Sequence, residues 1–303
     1  MRPLYGFWLA LFTALVWGML PVAGVLLLGH LDVVSITWAR FAFSALFVLA
    51  VLYQRRQLPS LGELGMPLRW TLLVAVIALL GNFLLYLLGL NLLNPEATQT
   101  LIQIAPILLL LGSVSINGER LSMLEWSGAL VLVAGLWLFF NQRLSHLFAA
   151  FGDETLGVVI MLGAAVSWAV YGLLQKRLLR TLSSIQVTLL IYAAGTLLLS
   201  PFISPFALLQ LPPLQSAALL FCCLNMVFGY GAFTEAMRVW QAAKVSAVIA
   251  LAPVFTIITM QLAVHGWPQH FSSSELNVTA YIGAVVVVAG SMLAALGKQR
   301  PAA

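Results

Sequence analysis

Long apolar runs, repeated along almost the whole chain, constrain the fold more than any other feature of this sequence. Of its 303 residues, 62% are hydrophobic and only 8% are charged. A soluble domain is about 45–50% apolar and about 25% charged. Because so few charges cannot cover a water-soluble globule of this size, the composition excludes a soluble enzyme, a disordered chain and a nucleic-acid-binding module. It predicts an all-α membrane protein.

Ten of these runs can be membrane-spanning helices, which need about 20 apolar residues each. They cover residues 5–28, 35–53, 70–90, 97–116, 125–141, 156–175, 185–202, 215–234, 245–263 and 278–296. Together they leave only short loops and tails, so no soluble domain is expected. The first run is longer than the apolar core of a signal peptide, about 7–15 residues, and is expected to be a retained helix.

The positions of Lys and Arg predict the orientation of the spans. With the N-terminus in the cytoplasm, twelve of the 14 Lys and Arg residues fall on the cytoplasmic side and only Arg143 falls outside. Arg40 lies within the second span. Membrane proteins concentrate basic residues on the cytoplasmic side. The sequence therefore predicts a multi-pass protein of the inner (plasma) membrane with both termini in the cytoplasm.

The second half of the sequence is similar to the first. The matching pairs are residues 126–135 (WSGALVLVAG) with 281–290 (YIGAVVVVAG), residues 104–106 with 251–253, and Trp17 with Trp168. Their order predicts two five-helix repeats, over residues 1–145 and 152–297. Five is an odd number, so the second repeat enters the membrane in the opposite direction and the repeats are inverted. Secondary transporters often have inverted repeats around a site near the midplane.

Several short motifs occur in a characteristic order. They are Trp17-Gly18 in span 1, Arg40 in span 2, Ala105-Pro106 in span 4, residues 118–121 (GERL), and Gly128 with Gly135 in span 5. In this order they resemble the drug/metabolite transporter superfamily, in its ten-helix form with two EamA-type repeats. The resemblance implies a central cavity, cytoplasmic termini, and export or exchange of small metabolites such as amino acids. The second copy departs from the pattern, with Gly266-Trp267-Pro268 and a polar insert, Gln269 to Glu275, of unexplained role.

Polar and aromatic side chains inside the spans are candidates for the cavity walls, because an unpaired polar group is costly in the membrane. Asn82 and Tyr86 are four residues apart and share a helical face, as do Gln99 and Gln103. The candidate substrate-binding residues are Trp17, Asn82, Tyr86, Gln99, Gln103, Trp168, Tyr171, Asn225 and Tyr230. Aromatic walls with a few amides suit a small amphipathic solute, and ring faces can hold an ammonium group. The alternative is that the amides join neighbouring helices and the tryptophans only pack.

Arg40 has two interpretations at this stage. It could contact an anion or form an outer gate with Asp32 or Glu96. It could also be a structural arginine that extends its charge outward to the interface.

The glycines of spans 5 and 10 indicate close helix contacts. Gly128 with Gly135, and Gly283 with Gly290, are each one heptad apart, a spacing that allows close backbone approach. We expect them to pack helices within one chain, and we favour a monomer over a dimer.

The distribution of ionisable residues bears on energy coupling. All Asp and Glu fall in loops or at span ends, and His30, His146, His265 and His270 fall in predicted outer segments. A proton-driven pump usually has a carboxylate or His buried in a helix. We therefore expect facilitated transport or coupling through a peripheral group.

The sequence favours a secondary transporter that works by alternating access. Pro21, Pro106 and Pro253 are candidate bending points. A lipid-headgroup flippase on the same scaffold is the alternative, although it would favour a basic cavity. An intramembrane enzyme would need a catalytic or metal constellation at depth, and the sequence offers none; Cys222 and Cys223 have no metal-site spacing. We expect neither enzymatic activity nor a metal or cofactor.

Overall fold

The computed structural model describes residues 3–59, 64–117, 121–142, 152–274 and 276–296. Within these ranges the chain forms helices and no β-strand. The helices are α1 (Pro3–Leu28), α2 (Val33–Gln54), α3 (Met66–Leu92), α4 (Pro95–Leu101), α5 (Ile104–Asn117), α6 (Met123–Phe139), α7 (Asp153–Leu178), α8 (Ser184–Leu199), α9 (Pro205–Leu209), α10 (Pro213–Leu224), α11 (Tyr230–Val239), α12 (Ala242–Ile249), α13 (Ala252–Gly266) and α14 (Val278–Leu296). A 3-10 turn, Ser200–Phe202, follows α8, and a π turn, Asn225–Gly229, joins α10 to α11.

Eight helical stretches among the described residues are long and apolar enough to cross a membrane. Helix α6 is also apolar but is shorter. The predicted class, an all-helical membrane protein, is confirmed. The count of ten crossings and the inverted repeats stay predictions. Several residues used to argue orientation and function lie outside the described residues: Arg2, residues 118–120, Arg143, His146, Glu275, Lys298 and Arg300.

Two of the predicted runs are each interrupted by a two-residue turn, at residues 102–103 and 250–251. The expectation of one continuous helix over 97–116 is wrong, because α4 ends at Leu101 and α5 begins at Ile104. Pro106 explains the break, since proline lacks an N–H group and its ring clashes with the carbonyl four residues earlier, that of Ile102. Pro253 similarly separates α12 from α13.

Polar side chains define where several helices begin. The Asp32 carboxylate accepts the backbone N–H of Ser35 at the start of α2, over 2.8 Å. Ser122 and Glu125 form a capping box at the start of α6. Each of these side chains satisfies a backbone N–H that has no partner within its helix.

Helices α6 and α14 form the closest helix pair. A Cβ atom at Gly128 would overlap the backbone nitrogen of Ala294, and one at Gly283 would overlap that of Phe139. The early part of α6 therefore meets the late part of α14, so the two helices run antiparallel. The expectation that these glycines join helices of one chain is confirmed.

Helix α1 is at the centre of the bundle. It packs against α3, α4, α10, α11, α12 and α13, and also against the π turn. Around it, α3 packs along α7 and α2 packs along α8. One buried cluster, which includes Phe41, Phe83, Tyr192 and Met226, joins α2, α3, α8 and the π turn. This cluster forms one side of the candidate site.

Candidate functional site

The aromatic side chain of Trp17 meets the chain that follows the π turn. Its ring centroid lies 5.0 Å from that of Tyr230 and 5.6 Å from that of Phe233. The Asn225 amide Nδ2 donates to the Val16 carbonyl over 2.5 Å. The structure thus brings three predicted site residues together between α1 and α11. Single π turns are frequent at functional sites.

Arg40 lies on α2, beside the buried cluster that contains Phe83. Its side chain is only 3% exposed, and its Cζ atom lies 4.8 Å from the centroid of the Phe83 ring, a cation–π arrangement. Phe83 belongs to the buried cluster against which Tyr230 packs. Arg40 is therefore buried within the protein, next to the cluster against which Tyr230 packs.

The structure does not bring Arg40 to either of the carboxylates proposed for an outer gate. In the part of the chain that the structure describes, neither Asp32 nor Glu96 forms an ion pair with it. The Asp32 carboxylate accepts from the Ser35 hydroxyl over 2.7 Å. Glu96 lies at a helix end, as predicted, but it is fully buried there and accepts from the Ser274 hydroxyl over 2.5 Å.

Tyr86 and Gln99 join α3 to α4. The Tyr86 hydroxyl donates to the Gln99 Oε1 atom over 2.8 Å, and Gln99 is 8% exposed. Both predicted residues are therefore present at the inner end of α4, beside the break.

Gln103 connects the two helix breaks. Its Nε2 atom donates to the Ala250 carbonyl over 3.0 Å. The Val254 N–H, which would normally bond to the Ala250 carbonyl, donates instead to the Leu251 carbonyl. The Gln103 amide thus satisfies a carbonyl that the second break leaves without a helical partner.

The remaining candidates lie on or against α7. The Asn82 amide donates to the Ala164 carbonyl over 2.9 Å, which joins α3 to α7 in the way that the packing alternative described. Tyr171 packs against the same cluster as Tyr230. Trp168 is half-buried, and no hydrogen bond or ring contact links it to the other candidates among the described residues.

Several residues that complete this region were not singled out from the sequence. They are Ser44, Phe83, Tyr192 and Phe233. Ser44 carries a usable signal, because it is polar, lies inside a span and follows Arg40 by four residues on the same helical face. The aromatic residues carry no such signal in a chain this rich in apolar side chains.

The polar insert lines a cavity on the side predicted to be outside. This cavity has a volume of about 360 Å³ and is lined by residues 93–95, residues 270–274, Val25 and Met260. Phe271 is buried against Val22 and Met260. The insert therefore folds back over the ends of α1, α4 and α13, and through Ser274 it contacts the buried Glu96.

Comparison with known proteins identifies the family. The EamA-like transporter family matches residues 4–141 and 155–296. YhbE of Escherichia coli (strain K12), named as an uncharacterized inner membrane transporter, is 42% identical over 294 residues, which are 96% of this chain and 91% of that protein. An uncharacterized transporter of Haemophilus influenzae is 38% identical over 296 residues, covering 98% of this chain and 96% of that protein.

A solved crystal structure has a similar fold. It superposes with a TM-score of 0.65 at 19% sequence identity and covers 98% of this chain and 99% of its own chain. The sequence matches confirm the resemblance to the drug/metabolite transporter superfamily. The chain belongs to the EamA-like transporter family and is a membrane transporter.

Proposed function

We propose that this chain is a secondary transporter of the inner membrane that moves small amphipathic metabolites, such as amino acids, by alternating access. Its ten membrane crossings form two inverted five-span repeats, residues 1–145 and 152–297, with both termini in the cytoplasm. The solute binds near the midplane, between the aromatic side chains around Trp17 and the two helix breaks. The observation that carries the proposal is the meeting of these breaks through Gln103 and Ala250.

The contact between the breaks supports the inverted repeat. Gln103 and Ala250 immediately precede the aligned segments 104–106 and 251–253. They therefore occupy equivalent positions in the two repeats. Two equivalent positions touch each other when they lie next to a two-fold axis, which is where an inverted repeat places its central site.

The helix contacts support the same arrangement. Helices α6 and α14, the last of each repeat, run antiparallel, as members of an inverted pair must. The pairing of α3 with α7 has its counterpart in the packing of α10 and α11 on α1. The pairing of α5 with α7 has its counterpart in the packing of α13 on α1.

The chemistry of the central region suits binding rather than catalysis. Broken helices in transporters expose backbone groups and side-chain amides to the solute. Aromatic walls contributed by Trp17, Tyr230 and Phe233 would cover the apolar part of a small solute.

The packing at the two ends of the bundle supports alternating access. On the side predicted to be outside, α4 packs against α1 and α13, and Ser274 bonds to Glu96. On the predicted cytoplasmic side, α5 packs on α7, whereas α12 packs on α1, α11 and α14. These contacts fit a state that is closed to the outside.

Transport by the purified full-length chain in proteoliposomes tests the proposal. Vesicles are loaded with a mixture of amino acids, and uptake of each radiolabelled amino acid is measured with and without a pH gradient. We expect exchange without a gradient. We expect Trp17→Ala to lower it at least about tenfold, the factor that corresponds to about 1.4 kcal/mol of lost binding.

The matched control is Trp126→Ala, since Trp126 is 50% exposed on α6 and should leave uptake unchanged. Equal loss in both variants, or full activity of Trp17→Ala, would contradict the site. A strict need for the gradient would contradict facilitated exchange. Movement of labelled lipid with no solute uptake would favour the flippase alternative.

A further inference from the structure

Three buried polar atoms around the central site have no hydrogen-bond partner among the described residues. They are Trp17 Nε1, Arg40 Nε and Ser44 Oγ. The indole and guanidinium N–H groups can only donate, and a hydroxyl can donate as well. The region therefore has an excess of donors, and its missing partner is an acceptor.

The charge of Arg40 has no counter-charge nearby. The guanidinium is 3% exposed and contacts the Phe83 ring, while no carboxylate of the described residues pairs with it. A buried charge without a partner is strongly unfavourable, and within a membrane-spanning helix it marks a functional site. A ring face compensates such a charge only in part.

The three donors are arranged around one structural element. Ser44 follows Arg40 by one helical turn on α2. The π turn packs against both α1 and α2, and a Cβ atom at Gly229 in this turn would lie 3.0 Å from Trp17 Nε1. Tyr230, next in the chain, contacts the Trp17 ring and packs against the cluster that contains Phe83, the ring beside Arg40. Donors from two helices thus converge on one region.

We propose that Arg40 binds the carboxylate of a singly charged solute, with the Ser44 hydroxyl and the Trp17 indole N–H as further donors. This inference rests on the proposed function and names its substrate class: small monocarboxylates, including amino acids, whose apolar part lies against Trp17 and Tyr230. One guanidinium neutralises one negative charge. A dianion such as a phosphate ester would leave a net charge buried at the site, which is unfavourable.

Thermal unfolding of the purified full-length chain in detergent tests the binding directly. Sodium butyrate is titrated at constant ionic strength, with inorganic phosphate and butylamine hydrochloride as comparison solutes. We expect the melting temperature to rise saturably with butyrate and not with the other two. In Arg40→Met the half-saturating butyrate concentration should rise about tenfold or more, because a charge-assisted hydrogen bond is lost.

Matched variants separate this role from a structural one. Arg238→Met removes an exposed arginine that pairs with Glu235, and it should keep the full butyrate response. Arg40→Lys should keep part of the response, and Ser44→Ala should weaken it several-fold. Without ligand, Arg40→Met should melt no lower than the wild type, because it removes an uncompensated buried charge.

The outcomes distinguish this inference from the proposed function. No stabilisation of the wild type by butyrate, or a stronger response to phosphate, would overturn the carboxylate site. A lower melting temperature of Arg40→Met together with an unchanged butyrate response would also overturn it. Butyrate binding without amino-acid flux would support the carboxylate site and refute the transporter mechanism. Flux that is sensitive to Trp17→Ala but independent of Arg40 would support the transporter mechanism and refute the carboxylate site.

Discussion

Two of the regions that connect the halves of this protein are built from opposite kinds of residues. Between α6 and α14, glycines bring backbone against backbone. Around the two breaks, the helices are interrupted, and the connection depends on the Gln103 side chain and a freed carbonyl. A backbone contact has one arrangement and resists change. A side-chain hydrogen bond between broken helices can be exchanged for a bond to water or solute. We therefore expect α6 and α14 to be a fixed contact and the breaks to be the mobile one.

The largest effect is expected where a glycine contact is filled. A Cβ atom at Gly128 would overlap the backbone of Ala294 and lie 2.8 Å from the Gly290 carbonyl oxygen. Since backbone cannot move aside as a side chain can, Gly128→Ala should lower the free energy of unfolding by about 1–3 kcal/mol. Unfolding of the purified protein in detergent measures this.

The control for Gly128→Ala is Gly231→Ala on α11. No heavy atom lies within 4 Å of a Cβ atom at that position, and alanine favours the helix by up to about 1 kcal/mol. Gly231→Ala should therefore be neutral or stabilising. Equal destabilisation of the two variants would show that the α6–α14 contact is not unusually close.

Loss of the bond between the breaks should affect transport more than stability. Gln103→Leu removes the donor to the Ala250 carbonyl, and an interhelical bond in a membrane protein is worth about 0.6 kcal/mol. The melting temperature should therefore change little, while uptake into proteoliposomes falls clearly. Gln261→Leu is the matched control, because Gln261 donates to the Tyr281 hydroxyl at an exposed position on α13. If both variants transport at the wild-type rate, the breaks are not the mobile contact.

Asn82→Leu should affect stability more than transport. Asn82 donates to the Ala164 carbonyl between α3 and α7, and both helices are continuous there. We expect a loss of about 0.6 kcal/mol in unfolding free energy with unchanged uptake per folded molecule. A fall in uptake without a change in melting would instead place Asn82 in the wall of the cavity.

The smallest effect is expected at the start of α2, outside the membrane-spanning part. Partial burial raises the pKa of the Asp32 carboxyl. Hydrogen bonds from Ser35 and Ser204 lower it by a larger amount, so the pKa lies below its ordinary value. The cap thus stabilises the fold above about pH 4 and is lost as the pH falls through the lower folded-state pKa.

The variant Asp32→Asn tests this dependence. It should keep most of the cap, since asparagine is also a good N-cap residue. The decrease of the melting temperature below about pH 4 should, however, become smaller. A melting curve with the same acid dependence as the wild type would exclude Asp32 as its source.

Much of this fold could be predicted from the sequence, because lipid imposes strong rules on it. The apolar runs located every long helix, and the spacing of the glycines indicated close helix contacts. The break before Pro106 could have been predicted as well, since the clash of proline with the preceding turn is local. The bond from Gln103 to Ala250 could not, because it joins positions 147 residues apart.

The environment of the charged residues was the least predictable part. Arg40 could equally have reached the interface or a carboxylate, and the choice depends on how Phe83 and α3 pack beside it. Glu96 was correctly placed at a helix end, but its burial depends on the insert that carries Ser274. The aromatic cluster around Tyr192 had no distinguishing pattern in a chain with so many rings.

The bond from Gln103 to Ala250 also bears on why the two halves differ in sequence. Two identical subunits related by a dyad would present the same residue at both positions. Two glutamines would compete for one space, whereas two alanines would leave both main-chain oxygens unsatisfied. In the proposed arrangement both copies lie in one polypeptide, so one copy can have the long side chain and the other the small one. In the proposed inverted repeat, the different residues at these two positions therefore follow from the chemistry of the hydrogen bond.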